Sequence, residues 1–102
     1  MSTDTQTQSL SQTETEELIR LKAKLLPPYN VILFNDDYNE MLYVVAVLLR
    51  TINRLSREDA EQIMLTAHLH GSAIVVTCPK ETAEHYQEQL LGYGLTATIE
   101  PE

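Results

Sequence analysis

Two adjacent prolines, Pro27 and Pro28, set the limit on what this chain can build. Proline breaks a helix interior and pushes the preceding residue into extended backbone, so no helix runs through the pair. Composition changes at the same point. From Met1 to about Glu17 the residues are Ser, Thr, Gln and Glu with scarcely an apolar side chain, too few to offset the entropy of ordering. Leu18, Leu21 and Leu25 then give a weak helical pattern from Glu17 to Leu26. The expected organisation of the 102 residues is a flexible extension over 1–26 and one folded domain over 27–102. A domain of that size holds one two-layer core, and not the deep enclosed cleft of a large enzyme.

Charge and cysteine content narrow the function. The chain has 15 acidic against 7 basic residues, a net charge of −8. That balance opposes nucleic-acid binding, which needs a basic face, and favours cationic partners. Cys78 is the single cysteine, so no internal disulfide can form. No Cys/His spacing resembles a zinc site, and neither a metal nor a cofactor is expected. No apolar run approaches the roughly 20 residues needed to span a membrane. The leading segment also lacks the basic-then-apolar pattern of a signal peptide. The expectation is a cytoplasmic monomer that engages no membrane.

Past the prolines, hydrophobic periodicity separates the elements. Tyr29 to Phe34 reads as a strand. Asn39 is expected as the N-cap of a helix from Met41 to Ile52, with Glu40 in its first turn. Met41, Val44, Val45 and Leu48 follow i, i+3, i+4, i+7, the stripe of a core-facing helix. Ser56 and Asp59 form a capping-box variant for a second helix that carries Ala60, Ile63, Met64 and Ala67 inward and ends at Gly71. Ala73 to Cys78 is a second strand. Pro79 opens a third helix that runs to about Leu91 and stops at Gly92, and Leu95 to Ile99 is a third strand. The expected fold class is α+β, two-layer, in the order β-α-α-β-α-β. With the first strand central and running against the other two, the sheet is antiparallel and three helices cover one face.

The junction Asn35-Asp36-Asp37-Tyr38-Asn39-Glu40-Met41 carries the chemistry. It sets an amide and two adjacent carboxylates directly before an apolar helix. Negative charge beside an apolar surface suits a ligand with a cationic head and an apolar body. One such ligand is the free amino terminus of a polypeptide whose first side chain is large and apolar. On the second helix Met64, Ala67 and His68 lie at i, i+3, i+4, which brings His68 to the edge of an apolar stripe. Each feature has a plainer explanation when taken alone. Asn and Asp bond their own backbone in turns, a Met or Val stripe is usually core, and a lone helix histidine is more often structural or simply exposed. Their coincidence in one small domain is what favours a site.

Tyr29 through Tyr38, with Met41, Val44, Val45, Ala60, Ile63-Met64-Leu65-Thr66-Ala67-His68 and Gly71, closely resembles the ClpS adaptor family. The resemblance runs from Pro27 to Ile99. Members of that family bind the amino-terminal residue of N-degron proteins and pass them to a hexameric Clp AAA+ unfoldase, such as ClpA or ClpC, which feeds the ClpP peptidase. The resemblance implies that Asn35, Asp36 or Asp37, and His68 surround the α-ammonium group. It further implies that Phe34, Asn39, Met41, Val44, Met64, Ala67 and Leu95 line a pocket for a first side chain of the Leu, Phe, Tyr or Trp kind. Glu81 matches a position that members set against the amino-terminal domain of the unfoldase, and Tyr86 stands where a lysine is frequent. Asn39-Glu40 replaces a frequent Thr-Pro, and Ala67 replaces a frequent Val. The short segment before Leu95 points to a partner of the ClpC type.

The chemistry of these residues agrees with that implication. Sequestering an ammonium is costly unless charge and acceptors compensate. Aspartate supplies the charge, while the Asn35 amide oxygen and a neutral His68 can accept its hydrogens. Burying a Leu or Phe side chain adds about 1.5–3 kcal/mol. Two rival classes are weighed against this reading. His68 with Asp36 or Asp37 could be drawn as a general base pair, but no nucleophile motif, metal cluster or phosphate loop accompanies it, so the chain is not expected to be an enzyme. A protein-interaction domain like that of the ribosomal stalk has the same topology, and fold alone does not choose between them. Such a domain has no need of Asn-Asp-Asp opposite a helix histidine.

Overall fold

Strict alternation along one strand organises the domain. Strand β1 (Tyr29–Phe34) buries Val31 and Leu33 completely or nearly so and turns Asn30, Ile32 and Phe34 to the other face. The structure, a computed structural model, describes residues 11–102, leaving aside the side chains of residues 23–25. Strands β2 (Ser72–Cys78) and β3 (Thr96–Pro101) both pair antiparallel with β1, giving the order β2-β1-β3. Opposite Val31 stand Val76 and Ile99, and opposite Leu33 stand Ala73 and Ala97, so one face of the sheet is continuously apolar. The register with β2 slips between Val31 and Ile32, leaving Val75 as the extra residue of a bulge. Val75 and Val76 are consequently both buried, which simple alternation would forbid.

Helices α2 (Met41–Thr51), α3 (Arg57–His70) and α4 (Lys80–Gly92) supply the second layer. The first of these packs against the other two, α3 lies along β2, and α4 lies along β1 and β3. The element order and the antiparallel sheet with β1 at its centre are as the sequence leads one to expect. The core joins Val31 and Leu33 to Val45, Leu48 and Ile52 of the α2 region, Ala60 and Ala67 of α3, and Ala83 and Leu90 of α4. Local chemistry fixes the helix ends. The Ser56 hydroxyl accepts the Asp59 N–H and the Asp59 carboxylate accepts the Ser56 N–H, each at 3.0 Å. At the other end of α3, Gly71 takes a left-handed conformation at φ 94° and donates to the Ala67 carbonyl at 2.8 Å.

Three local expectations need correction. The N-cap of α2 is Glu40, not Asn39, and no side chain caps it. The Asn39 carboxamide is drawn instead to Asp36 and Gly94. The inward stripe of α2 is also displaced: Val45 and Leu48 are buried together with Val47, whereas Val44 is half-buried and Met41 stays 42% exposed, because the first turn overhangs a cavity rather than the core. The weak helical pattern expected from Glu17 forms a helix that starts earlier, α1 (Gln12–Leu25). A capping box closes it at Ser11 and Glu14, with bonds of 3.0 and 3.1 Å, several residues before the leucine pattern begins. Its side chains over residues 11–22 are all exposed, including Leu18 and Leu21. A lone helix of that length is marginal in water and rests on local bonds. The flexibility expected of residues 1–10 lies outside the described residues.

The α3 cap predicts a pH dependence. The Ser56 N–H holds the Asp59 carboxyl below the usual carboxylate range. A depressed folded-state value means the contribution is complete above the unfolded-state value and lost as pH falls through the folded one. Urea midpoints should therefore fall between about pH 6 and about pH 3, and the drop should be smaller in Asp59→Asn than in the wild type.

Candidate functional site

Strand β1 ends at Phe34 and hands the chain to a loop fixed at both ends. The Asn35 N–H donates to the Gly71 carbonyl at 2.9 Å, tying the loop to the end of α3. Asp36 then folds its carboxylate back on the loop. Its Oδ1 accepts the Tyr38 N–H at 2.9 Å and the Asn39 N–H at 2.8 Å, and the Asn39 Nδ2 lies 3.2 and 3.0 Å from its two oxygens. Partial burial pushes the Asp36 carboxyl up, but these bonds outweigh it and hold the group below its ordinary range. The adjacent Asp37 is exposed and makes no side-chain hydrogen bond or ion pair among the described residues. Sequence left the two aspartates equivalent. The structure separates them: Asp36 is occupied in building the loop, and Asp37 keeps its acceptors free.

Beneath the loop lies a cavity of about 270 Å³ that opens to solvent. Asn35, Asp36, Asp37 and His68 line it, together with Phe34, Asn39, Met41, Val44, Met64, Ala67 and Leu95. All eleven pocket residues named from the sequence therefore border one space. Alternation along β1 sends the Phe34 side chain toward the open face of the sheet, so Phe34 belongs to the rim. Ala67 and Leu95 are buried, Val44 and Met64 half-buried, and Met41 and His68 exposed, which grades the wall from apolar floor to polar mouth. Two further lining residues, Leu33 and Glu40, escaped the sequence reading. Leu33 was open to discovery, since it is the last inward residue of β1 and the cavity floor is a continuation of the core. Glu40 adds a third carboxylate to the loop side. Glu81 and Tyr86 lie on α4 and do not border the cavity; Glu81 is exposed, and Tyr86 packs against the core beside His85.

The wall opposite the loop is held across the cavity. Leu95 follows the C-terminal turn of α4, where Gly94 adopts φ 85° and Leu95 donates its N–H to the Leu90 carbonyl at 3.1 Å. From the loop side, the Asn39 Nδ2 donates to the Gly94 carbonyl at 3.0 Å, and the Tyr43 hydroxyl donates to the Tyr93 carbonyl at 2.6 Å. Carboxylates gathered on one side of a small apolar cavity, with no lysine or arginine in its lining, favour a cation that carries a short apolar body. Pockets for drug-sized ligands run to about 300–1,000 Å³, so this one is scaled to a single side chain. Among the described residues, no three His, Cys, Asp or Glu side chains converge as metal ligands would, and no helix is long and apolar enough to cross a membrane.

Comparison with known proteins bears on this site. A family profile described as "ATP-dependent Clp protease adaptor protein ClpS" matches residues 24–98. The ATP-dependent Clp protease adapter protein ClpS of Synechococcus elongatus is 48% identical over 79% of this chain and 85% of its own length. A chloroplastic relative from Arabidopsis thaliana, CLPS1, is 42% identical over 87% of this chain and 56% of its own. Among solved structures, Agrobacterium tumefaciens ClpS2 bound to L-phenylalaninamide superposes with a TM-score of 0.66 at 38% identity, covering 74% of this chain and 98% of that one. Sequence, topology and cavity agree, and the chain belongs to the ClpS family of Clp protease adaptors, proteins that bring substrates to the protease and are not themselves a catalytic family.

Proposed function

We propose that this adaptor binds polypeptides by their free α-amino group and a bulky apolar first residue, Leu, Phe, Tyr or Trp, and delivers them to a Clp AAA+ unfoldase for degradation by ClpP. The observation that carries this reading is the cavity itself, where the unengaged carboxylate of Asp37 stands at the mouth of a pocket floored by Leu33, Ala67 and Leu95. The ammonium is taken by Asp37, the Asn35 amide oxygen and His68, directly or through water. The first side chain enters between Met41, Val44, Met64 and Leu95. Phenylalaninamide, the ligand of the Agrobacterium protein, combines a free amine with one apolar side chain and so has the chemistry this cavity suits. Docking to the amino-terminal domain of a ClpC- or ClpA-type unfoldase is assigned to the exposed face of α4 around Glu81, with Tyr86 held against the core on another face of the same helix.

A titration of one fluorescent peptide with Leu, Phe, Tyr, Trp or acetyl-Leu at its first position tests the reading directly. Acetyl-Leu should bind far more weakly than Leu, and equal binding would remove the ammonium from the scheme. Asp37→Ala or His68→Ala should cost roughly 1.5–3 kcal/mol, the worth of a hydrogen bond to a charged group. A pocket wall formed by Ala67 makes a second expectation. Ala67→Val adds two methyl groups beside Met64 and should shift the preference among Leu, Phe and Trp by about 1 kcal/mol. An unchanged ranking would mean that residue 67 does not touch the ligand.

Delivery is expected to need the leader. Deleting residues 2–22 should leave peptide affinity unchanged, since among the described residues 11–22 none borders the cavity. Degradation of an N-degron substrate by the complete Clp protease should nevertheless collapse, because a leader of that length reaches tens of ångströms from the domain, at about 5–6 Å times the square root of its residue count where it is coil. Full-rate degradation with the truncated adaptor would exclude the leader from delivery.

A further inference from the structure

The two halves of the cavity come from distant parts of the chain. Asp36 and Asp37 lie on the β1–α2 loop, whereas Leu95 lies beyond α4, with α2, α3, β2 and α4 between them in sequence. A ligand that reads charge on one side and shape on the other requires a fixed distance between the two. One side chain spans that distance. The Nδ2 of Asn39 is 3.0 Å from the nearer Asp36 oxygen and 3.0 Å from the Gly94 carbonyl oxygen. A carboxamide nitrogen has two hydrogens, so it can satisfy both acceptors at once, the first in a charge-assisted bond. Tyr43, in the first turn of α2, adds a parallel tie of 2.6 Å to the preceding carbonyl, that of Tyr93. Two successive carbonyls of the turn that carries Leu95 are thus held by side chains from the ammonium side.

We propose that Asn39, assisted by Tyr43, is a positioning residue that sets the separation between the carboxylate loop and the Leu95 wall, and thereby selects which first side chains fit. This inference rests on reading the cavity as an N-degron site. Asn39 need not touch the ligand to act. An apolar pocket discriminates steeply with size, roughly 10- to 200-fold for a methylene gained or lost, so a small displacement of the Leu95 wall alters the ranking of ligands rather than their binding in general.

The test measures affinities of peptides beginning with Leu, Phe and Trp for the full-length wild type, Asn39→Ala, Tyr43→Phe and the double variant, with thermal unfolding recorded for each. Asn39→Ala should change the Phe-to-Leu affinity ratio by at least about threefold. Tyr43→Phe removes a single hydroxyl and should move the ratio in the same direction by less. A purely structural role would lower the unfolding temperature or weaken every peptide alike and leave the ratios intact. Unchanged ratios in both single variants overturn the proposal, even if all affinities fall together. If Asn39→Ala does not fold, Tyr43→Phe decides alone. Failure of the wild type to bind any of these peptides would instead overturn the site reading on which the proposal depends.

Discussion

The inward placement of Val31 and Leu33 on a strand bonded along both edges is the constraint from which the remaining structure follows. It fixes which face of the sheet the helices cover, since Val76, Ala73, Ile99 and Ala97 stand opposite these residues in register. It also fixes the end of the strand. Leu33 is both the last inward core residue and part of the cavity floor, so the pocket is an unfilled margin of the core and not a separate construction. The loop that follows inherits its place from the strand before it and from the single bond that Asn35 makes to Gly71.

Within that loop two neighbouring aspartates divide the work. Asp36 surrenders its acceptors to backbone and carboxamide donors and so stiffens the turn. Asp37 keeps an exposed carboxylate with no side-chain partner among the described residues. On the proposed reading the loop needs both kinds of residue, because a free carboxylate on a mobile loop would lose in ordering entropy much of what it gained from a cation.

Much of this was legible in the sequence where the signal is local. The Ser56/Asp59 box, the glycine at position 71 and the alternation of β1 each express a rule that neighbouring residues decide among themselves. The grouping of Asn35, Asp37, Met64, Ala67 and His68 was legible through family resemblance together with helical spacing. What escaped was long-range. Asn39 offers the same side chain to a helix cap or to a distant carbonyl, and nothing nearby in sequence announces that Gly94 will be the better partner. The bulge at Val75 was hidden for a similar reason, since only pairing with β1 reveals that one residue is surplus. The early start of the helix over Gln12–Leu25 is hidden because it rests on the Ser11/Glu14 cap and not on apolar periodicity.

The arrangement at Pro28 has a mechanical consequence. The chain passes from a helix with no described packing partner through two prolines into the central strand, and Glu102 donates its N–H to the Pro28 carbonyl at 2.9 Å. A pull on the leader would first unwind α1, a transition opposed by little more than helical hydrogen bonds and one capping box. The load would then fall on β1, whose ladders to β2 and β3 share the strain together. Yielding is therefore graded along the chain, with a compliant leash fastened to the stiffest member of the sheet.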